Sequence, residues 1–234
     1  MENEDLSNAG FIQYVRGEYD SGLKEFAGGN AWHTIQNMSS PAIFLDRDGV
    51  LNALVHNPAT GEHESPHTPD QLSLMPGAVE AAQRLARAGF TLFIVSNQPS
   101  FAKGKATMEH TRAIAEKIEE AFSAGGAPIA RAFYCYHHPD GIVREFSGAC
   151  RCRKPKPQML FDARDEFDLD LAQSWMIGDQ ESDIECGRRA GCRTVLIANP
   201  HSHARRPGKE SATLNAANLP EAVEKLLASL EARR

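Results

Sequence analysis

The 234 residues carry 25 basic and 31 acidic side chains, a formal charge of −6, which excludes a surface built for nucleic acid or anionic membrane over the whole molecule. Apolar residues at 41% and charged residues at 24% suit a soluble globular chain long enough for one substantial domain with its own core. No run approaches the ~18 apolar residues of a spanning helix, and Met1-Glu-Asn-Glu-Asp5 lacks the basic and apolar regions of a secretion signal, so a cytoplasmic protein is expected. Five cysteines are an odd count, none before Cys135. Cys135, Cys150 and Cys152 crowd one stretch, which suits a metal in a reducing compartment better than a disulfide framework.

Residues 1–40 are rich in Gly, Asn and aromatic side chains and show no clear period beyond a possible short helix at Tyr19–Phe26. They read as an extension to a main domain over 41–234. From Pro41 onward, strand-like and helix-like segments alternate, the pattern of a parallel sheet with crossover helices. Ile43–Leu45 is the first strand, and a long polar loop, Ala53–Met75, follows it. A helix opens at Pro76 and runs to Ala88 with Val79, Ala82, Leu85 and Ala86 on one face, and Gly89 stops it. Strand Thr91–Val95 and a loop to Lys105 come next. A helix over Thr107–Ser123 aligns Ile114, Ile118, Ala121 and Phe122, and strand Ala130–Cys135 follows. Tyr136–Pro157 is irregular and rich in Cys, His and basic residues. Helix Gln158–Phe167, strand Ser174–Ile177, helix Ser182–Ala190, strand Arg193–Ile197 and helix Leu219–Ala232 complete the chain. The expected architecture is one doubly wound, mostly parallel α/β domain.

Polar signatures stand after the strands, where open α/β sheets place ligands. The first strand of Ala42-Ile-Phe-Leu-Asp-Arg-Asp-Gly-Val-Leu-Asn52 runs into Asp46 and Asp48. Two crowded carboxylates repel unless something positive lies between them, and oxygen-only ligation suits a hard cation such as Mg²⁺. One Asp could then attack an electrophile while the other moves protons. After the second strand, Ser96-Asn97-Gln98 offers a hydroxyl and backbone N–H groups to a phosphate oxygen. In Arg151-Cys-Arg-Lys-Pro-Lys-Pro157, Lys154 could neutralise a phosphoryl group and Arg153 offers a bidentate fork. After the strand ending at Ile177, Asp179 could complete the cation's oxygen shell. Asp183 could ligate through water, hold Lys154, or favour the N-terminus of the next helix.

Taken singly, these are an acidic turn, a turn serine, a solvated basic loop and a helix cap. Their order, each at a strand end or helix start, resembles the haloacid dehalogenase superfamily of phosphohydrolases over roughly residues 41–200. That resemblance implies Asp46 as a nucleophile forming an aspartyl-phosphate and Asp48 as general acid/base. It implies Ser96 and Lys154 as stabilisers of the phosphoryl group. Mg²⁺ would be held by Asp46, the backbone carbonyl of Asp48, and Asp179.

Cys135-x-His137 and Cys150-x-Cys152 supply three thiolates and one imidazole, the closed set of a structural tetrahedral zinc, with His138 as a competing ligand. Zinc would rigidify the loop that presents Arg153 and Lys154. Cys186 and Cys192 read as packing residues. With Phe44–Gly49, Ser96–Gln98, Ala102–Lys105, Cys135–Pro139 and Cys150–Pro157, the chain is similar to the branch of D,D-heptose 1,7-bisphosphate phosphatases and histidinol-phosphate phosphatases. Such enzymes lack a large cap domain, and the resemblance implies a small phosphorylated sugar as substrate, with Asn97, Gln98 and Arg153 on its binding side. Pro99-Ser100 departs from the small pair usual in that branch, and the loop carrying His56, His63 and His67 is longer. Those histidines read as solvated. A monomer with no nucleic-acid partner is expected. The alternatives are histidinol-phosphate hydrolysis, a nucleic-acid 3′-phosphatase disfavoured by the acidic balance, and a zinc-stabilised binding module that would need no nucleophile.

Overall fold

The computed structural model describes residues 39–205 and 211–232; the short helix expected at Tyr19–Phe26 lies outside them. Along the chain come β1 (Ala42–Leu45), a small antiparallel hairpin of β2 (Val55–His56) and β3 (His63–Glu64), α1 (Ala78–Arg87), β4 (Thr91–Asn97), α2 (Met108–Ala124) and β5 (Ile129–Cys135). They are followed by α3 (Gln158–Phe167), β6 (Trp175–Gly178), α4 (Glu181–Ala190), β7 (Arg193–Ile197), β8 (Leu214–Ala216) and α5 (Leu219–Glu231). One parallel six-stranded sheet has the order β5-β4-β1-β6-β7-β8. Among the described residues, only this hairpin and a 3-10 turn at Pro69–Gln71 lie between β1 and α1, and no large inserted domain is present there.

All four residues of β1 are buried, as expected of a central parallel strand covered on both faces. Alternation along the strand divides its side chains between two apolar layers. Ile43 and Leu45 pack with residues of α1, α2 and α5, including Leu85, Ile118 and Leu226. Ala42 and Phe44 face Met159 and Leu160 of α3 and Cys186 of α4, with Cys192 in the same layer; the two cysteines are packing residues. The β1 and β4 aromatics Phe44 and Phe93 stack at 5.5 Å.

Two elements differ from the sequence-based expectation. The loop over 53–75 contains the β2–β3 hairpin, and β8 forms an edge strand ahead of α5. The helix expected from Pro76 starts at Ala78, because Gly77 takes a left-handed backbone with φ +72°, and its buried face turns slightly toward Ala78 and Ala81. Thr107 caps α2 by accepting from the His110 N–H at 3.1 Å, and Asn218 caps α5 through the Glu221 N–H at 3.0 Å. From β1 the strand order runs one way through β4 and β5 and the other way through β6, β7 and β8. The crevice at their carboxyl ends is therefore a topological switch point.

Candidate active site

Carboxylate oxygens of Asp46, Asp179 and Asp183 lie within 4.8 Å of one another. Asp46 leaves the end of β1, Asp179 follows β6, and Asp183 lies in the first turn of α4. The backbone closes tightly around them. Gly49 has φ +88°, and a Cβ there would stand 2.1 Å from Asp179 Oδ2, so no other residue fits. Asn199 Nδ2 donates to the Gly49 carbonyl at 3.1 Å, and Ser202 Oγ donates to Asp179 Oδ2.

Lys154 is the cation among them. Its Nζ contacts Asp46 Oδ1 at 2.8 Å and Asp183 Oδ1 at 2.7 Å and donates to the Val95 carbonyl at 2.7 Å. Burial works against its charge, but Asp183 and then Asp46 overcome that and hold the ammonium above its usual range. Asp183 serves two of the roles considered for it, since its Oδ2 also accepts from the Gln180 N–H at 3.0 Å at the start of α4. Burial, with Asp46 adding, pushes the Asp183 carboxyl up to about 6, and burial with Asp46 and Asp183 also raises Asp179. Three carboxylates against one ammonium leave excess negative charge that a hard divalent cation offsets. The all-oxygen donor set fits Mg²⁺, and Asp46 and Asp179 are close enough to share it.

The Asp48 carboxylate lies outside that triad, enclosed by donors. Arg47 Nη2 reaches Oδ1 at 3.0 Å and Oδ2 at 3.1 Å, and Asn52 Nδ2 reaches Oδ1 at 2.9 Å. Ser65 Oγ and Gln98 Nε2 reach Oδ2 at 3.0 and 2.5 Å. Burial would raise this carboxyl's pKa, but Arg47, Asn52 and Gln98 outweigh it and hold the group below its ordinary value. None of Arg47, Asn52, Ser65, Asn199 or Ser202 was singled out from sequence. Arg47 is flanked by the two motif aspartates and Asn52 lies four residues on, which is the signal that could have found them; Ser65 and Ser202 carry none.

Ser96 and Asn97 line a cavity of about 300 Å³ with Asp46, Asp48, Lys103, Lys105, Arg153 and Lys154. Asn97 grips the Lys154 backbone, accepting from its N–H at 3.0 Å and donating to its carbonyl at 3.2 Å. Gln98 lies in the Asp48 network. The amides expected on the substrate side are thus engaged within the protein. Across the cavity mouth, Lys105 pairs with Glu64 of β3 at 2.5 Å. Of the loop histidines, His67 contacts Glu64 at 3.3 Å and lines the cavity, while His63 lies between His56 and His201 with ring centroids 5.2 and 3.9 Å away.

The sulfur atoms of Cys135, Cys150 and Cys152 and Nδ1 of His137 form a second cluster. Cys135 Sγ lies 3.6 Å from Cys150 Sγ and 3.1 Å from Cys152 Sγ, and His137 Nδ1 lies 4.0 and 3.7 Å from Cys135 and Cys152. A tetrahedron with bonds of about 2.0–2.3 Å has edges of this order, so the set is compatible with zinc. His138 is engaged elsewhere: its Nδ1 accepts from the Asp140 N–H at 3.1 Å. Arg153 Nη1 donates to the His137 carbonyl at 3.2 Å, tying the cluster to the loop that delivers Lys154.

Fold and site together define a phosphatase of the haloacid dehalogenase type. A HAD-hydrolase-like family model matches residues 151–222. The D-glycero-beta-D-manno-heptose-1,7-bisphosphate 7-phosphatase of Yersinia pestis is 35% identical over 189 residues, covering 80% of this chain and 96% of that protein. The enzyme of the same name from Escherichia coli K12 is 34% identical over 190 residues, with 80% and 95% covered. The crystal structure of D,D-heptose 1,7-bisphosphate phosphatase from B. bronchiseptica, complexed with magnesium and phosphate, superposes with a TM-score of 0.68 at 30% identity, covering 81% of this chain and 99% of that one. The chain belongs to this heptose bisphosphate phosphatase family of the haloacid dehalogenase superfamily.

Proposed function

We propose that the protein hydrolyses the 7-phosphate of D-glycero-D-manno-heptose 1,7-bisphosphate, as a cytoplasmic, monomeric enzyme without a nucleic-acid partner. The observation that carries phosphoryl chemistry is the meeting of Asp46 and Asp183 on Lys154 in the lining of a cavity, with the fully buried Asp179 carboxylate clustered beside them. The heptose rests on the relatives' names and on the cationic lining, Lys103, Lys105 and Arg153, which suits a substrate with a second phosphate. No helix among the described residues is long and apolar enough to cross a membrane.

In this reading Asp46 attacks phosphorus and carries the phosphoryl group as an aspartyl-phosphate. Lys154 and Ser96 hold the transferring oxygens, and Asp183 keeps Lys154 aimed at Asp46. Asp48 gives its proton to the leaving oxygen and later takes one from water. Magnesium, held by Asp46, Asp179 and the Asp48 carbonyl, would supply the positive charge that lets one anion approach another. Zinc on Cys135, His137, Cys150 and Cys152 would supply a structural crosslink. Arg153, fastened to the His137 carbonyl, orients the substrate from that loop.

A phosphate-release screen with Mg²⁺ tests this across heptose 1,7-bisphosphate, histidinol phosphate, other sugar phosphates and a 3′-phosphorylated oligonucleotide. The heptose bisphosphate should exceed the others in kcat/KM, and comparable rates on all would overturn the substrate assignment. Asp46→Asn should lower turnover by at least about 10⁴-fold, the scale seen for lost nucleophiles, with an unchanged melting curve. Retained turnover would remove the mechanism.

A further inference from the structure

Asn199 and Ser202 have no part in the chemistry assigned above, yet both side chains are buried, Ser202 at 0% exposure. Asn199 stands just after β7, and Ser202 lies in the 3-10 turn that follows, Pro200–Arg205. Polar side chains withdrawn from water need partners, and here the partners belong to the proposed magnesium site. Ser202 Oγ donates to Asp179 Oδ2. Asn199 Nδ2 donates to the Gly49 carbonyl at 3.1 Å, and Gly49 directly follows Asp48. One turn thus fastens the end of β6 and the loop after β1.

The turn is itself held. The Ser202 N–H donates to the Asn199 carbonyl at 3.1 Å, and the His201 N–H donates to Asn199 Oδ1 at 3.0 Å. The His201 ring stacks on His63 of β3 with centroids 3.9 Å apart. These contacts fix where the Ser202 hydroxyl points. The Gly49 main chain stands against the same carboxylate oxygen, since a Cβ there would lie 2.1 Å from Asp179 Oδ2 and 2.8 Å from Asn199 Nδ2. Oδ2 is therefore bonded by a hydroxyl and crowded by backbone.

That enclosure matters for the kind of ion. Calcium takes ~6–8 oxygens at about 2.3–2.6 Å and accepts both oxygens of one carboxylate, whereas magnesium demands a near-octahedral shell at about 2.0–2.1 Å. A carboxylate able to turn both oxygens inward serves calcium, and one with an oxygen pinned serves magnesium. We infer that Ser202 and Asn199 are positioning residues that hold Asp179 to a single ligating oxygen and so select Mg²⁺ over Ca²⁺. This rests on the magnesium site of the proposed function and adds what gives that site its preference.

The test titrates MgCl₂ and CaCl₂ into the full chain at pH 7.5 without substrate and takes a Kd for each ion from the rise in Tm. The wild-type protein should bind Mg²⁺ more tightly than Ca²⁺. Ser202→Ala should weaken Mg²⁺ by about 10-fold or more, the usual worth of a group that orients a metal ligand, and Ca²⁺ much less, so the preference narrows by a similar factor. Ser202→Thr keeps the hydroxyl and should keep the preference. Equal weakening of both ions, or a lower Tm with neither Kd changed, marks a contact that only supports the fold and overturns the proposal, as does a folded Ser202→Thr protein without the preference. Should Ser202→Ala fail to fold, Asn199→Ala leaves the serine in place and decides the question by the same ratio. Asp179→Asn separates the two readings. If it retains the full Mg²⁺ response, or if the wild-type protein shows none, the metal site falls and the selection with it. A normal response in the wild-type protein, lost in Asp179→Asn, beside an unmoved ratio in Ser202→Ala, sinks the selection alone.

Discussion

At the scale of single residues, the site is a charge problem solved in two unlike ways. Asp48 is neutralised by protein donors, whereas Asp46 and Asp183 share one lysine and, with Asp179 beside them, remain too negative together. The consequence can be read in pH. The folded-state carboxyl of Asp183 is pushed up to about 6 from 3.8, and Asp179 moves in the same direction. Between those values the folded chain binds more protons than the unfolded one, so metal-free stability falls as pH rises through the window. Asp48 acts oppositely, adding stability above its ordinary pKa that is lost as pH drops further. Lys154 stays charged throughout this range. Magnesium must displace protons from the triad at pH 5, a competition that weakens as pH rises, and a ligand that binds only the folded state stabilises it more the tighter it binds. The rise in Tm on adding a fixed Mg²⁺ concentration should therefore be larger at pH 7.5 than at pH 5. A rise of equal size at both would show that the triad is not where the ion binds.

At the scale of elements, the loop between β5 and α3 carries the Cys135–His137–Cys150–Cys152 cluster and has little apolar content of its own. Its order depends on hydrogen bonds such as Ile142 N–H to the Ala102 carbonyl at 2.7 Å and on the proposed zinc. Chelation, or Cys150→Ser, should lower Tm by several degrees, about 4–8 °C for ~2 kcal/mol in a chain of this size, and should cut activity because Lys154 follows directly. Elemental analysis without zinc, together with an unmoved Tm, would end that proposal. These four candidate zinc ligands were legible as spaced pairs in sequence, and Asp46, Asp48, Ser96 and Asp179 were legible because each stands at or just past the end of a strand that an apolar run makes visible, whereas Lys154 showed only as part of a basic loop ahead of a helix. The β2–β3 hairpin was not legible, since two strands of two residues each have no room to show alternation. Nor was β8, three residues at a sheet edge. The parts assigned to Asn97 and Gln98 were legible only as polarity: a sequence shows that an amide stands at a strand end, but not that a lysine backbone 57 residues away or an arginine 51 residues away will occupy it. Asp183 escapes that limit, because capping the visible helix and holding Lys154 were both among the roles its position suggested, and the structure shows both contacts.

At the scale of the whole molecule, the strands that deliver the site are neighbours although the chain visits them far apart: β4 and β6 flank β1. Their relative placement depends on main-chain pairing, with Leu45 opposite both Ile94 and Ile177, rather than on side chains beneath. That separation of roles can be tested at Phe93, a fully buried β4 residue that contacts Phe44, Phe133 and Phe167 at centroid distances of 5.5, 6.3 and 5.0 Å. Phe93→Ala opens a cavity in the α3–α4 layer and should cost about 3–5 kcal/mol, as large-to-small core changes do. Thermal unfolding should fall accordingly, by roughly 6–20 °C at ~2–4 °C per kcal/mol. The backbone ladder on both sides of β1 remains, so the carboxylates at its end keep their places. Assayed well below the new Tm, the variant should retain most of its kcat and its requirement for Mg²⁺. If kcat instead collapses while far-ultraviolet circular dichroism shows the sheet intact, the apolar layer and not the strand pairing sets the geometry of the site.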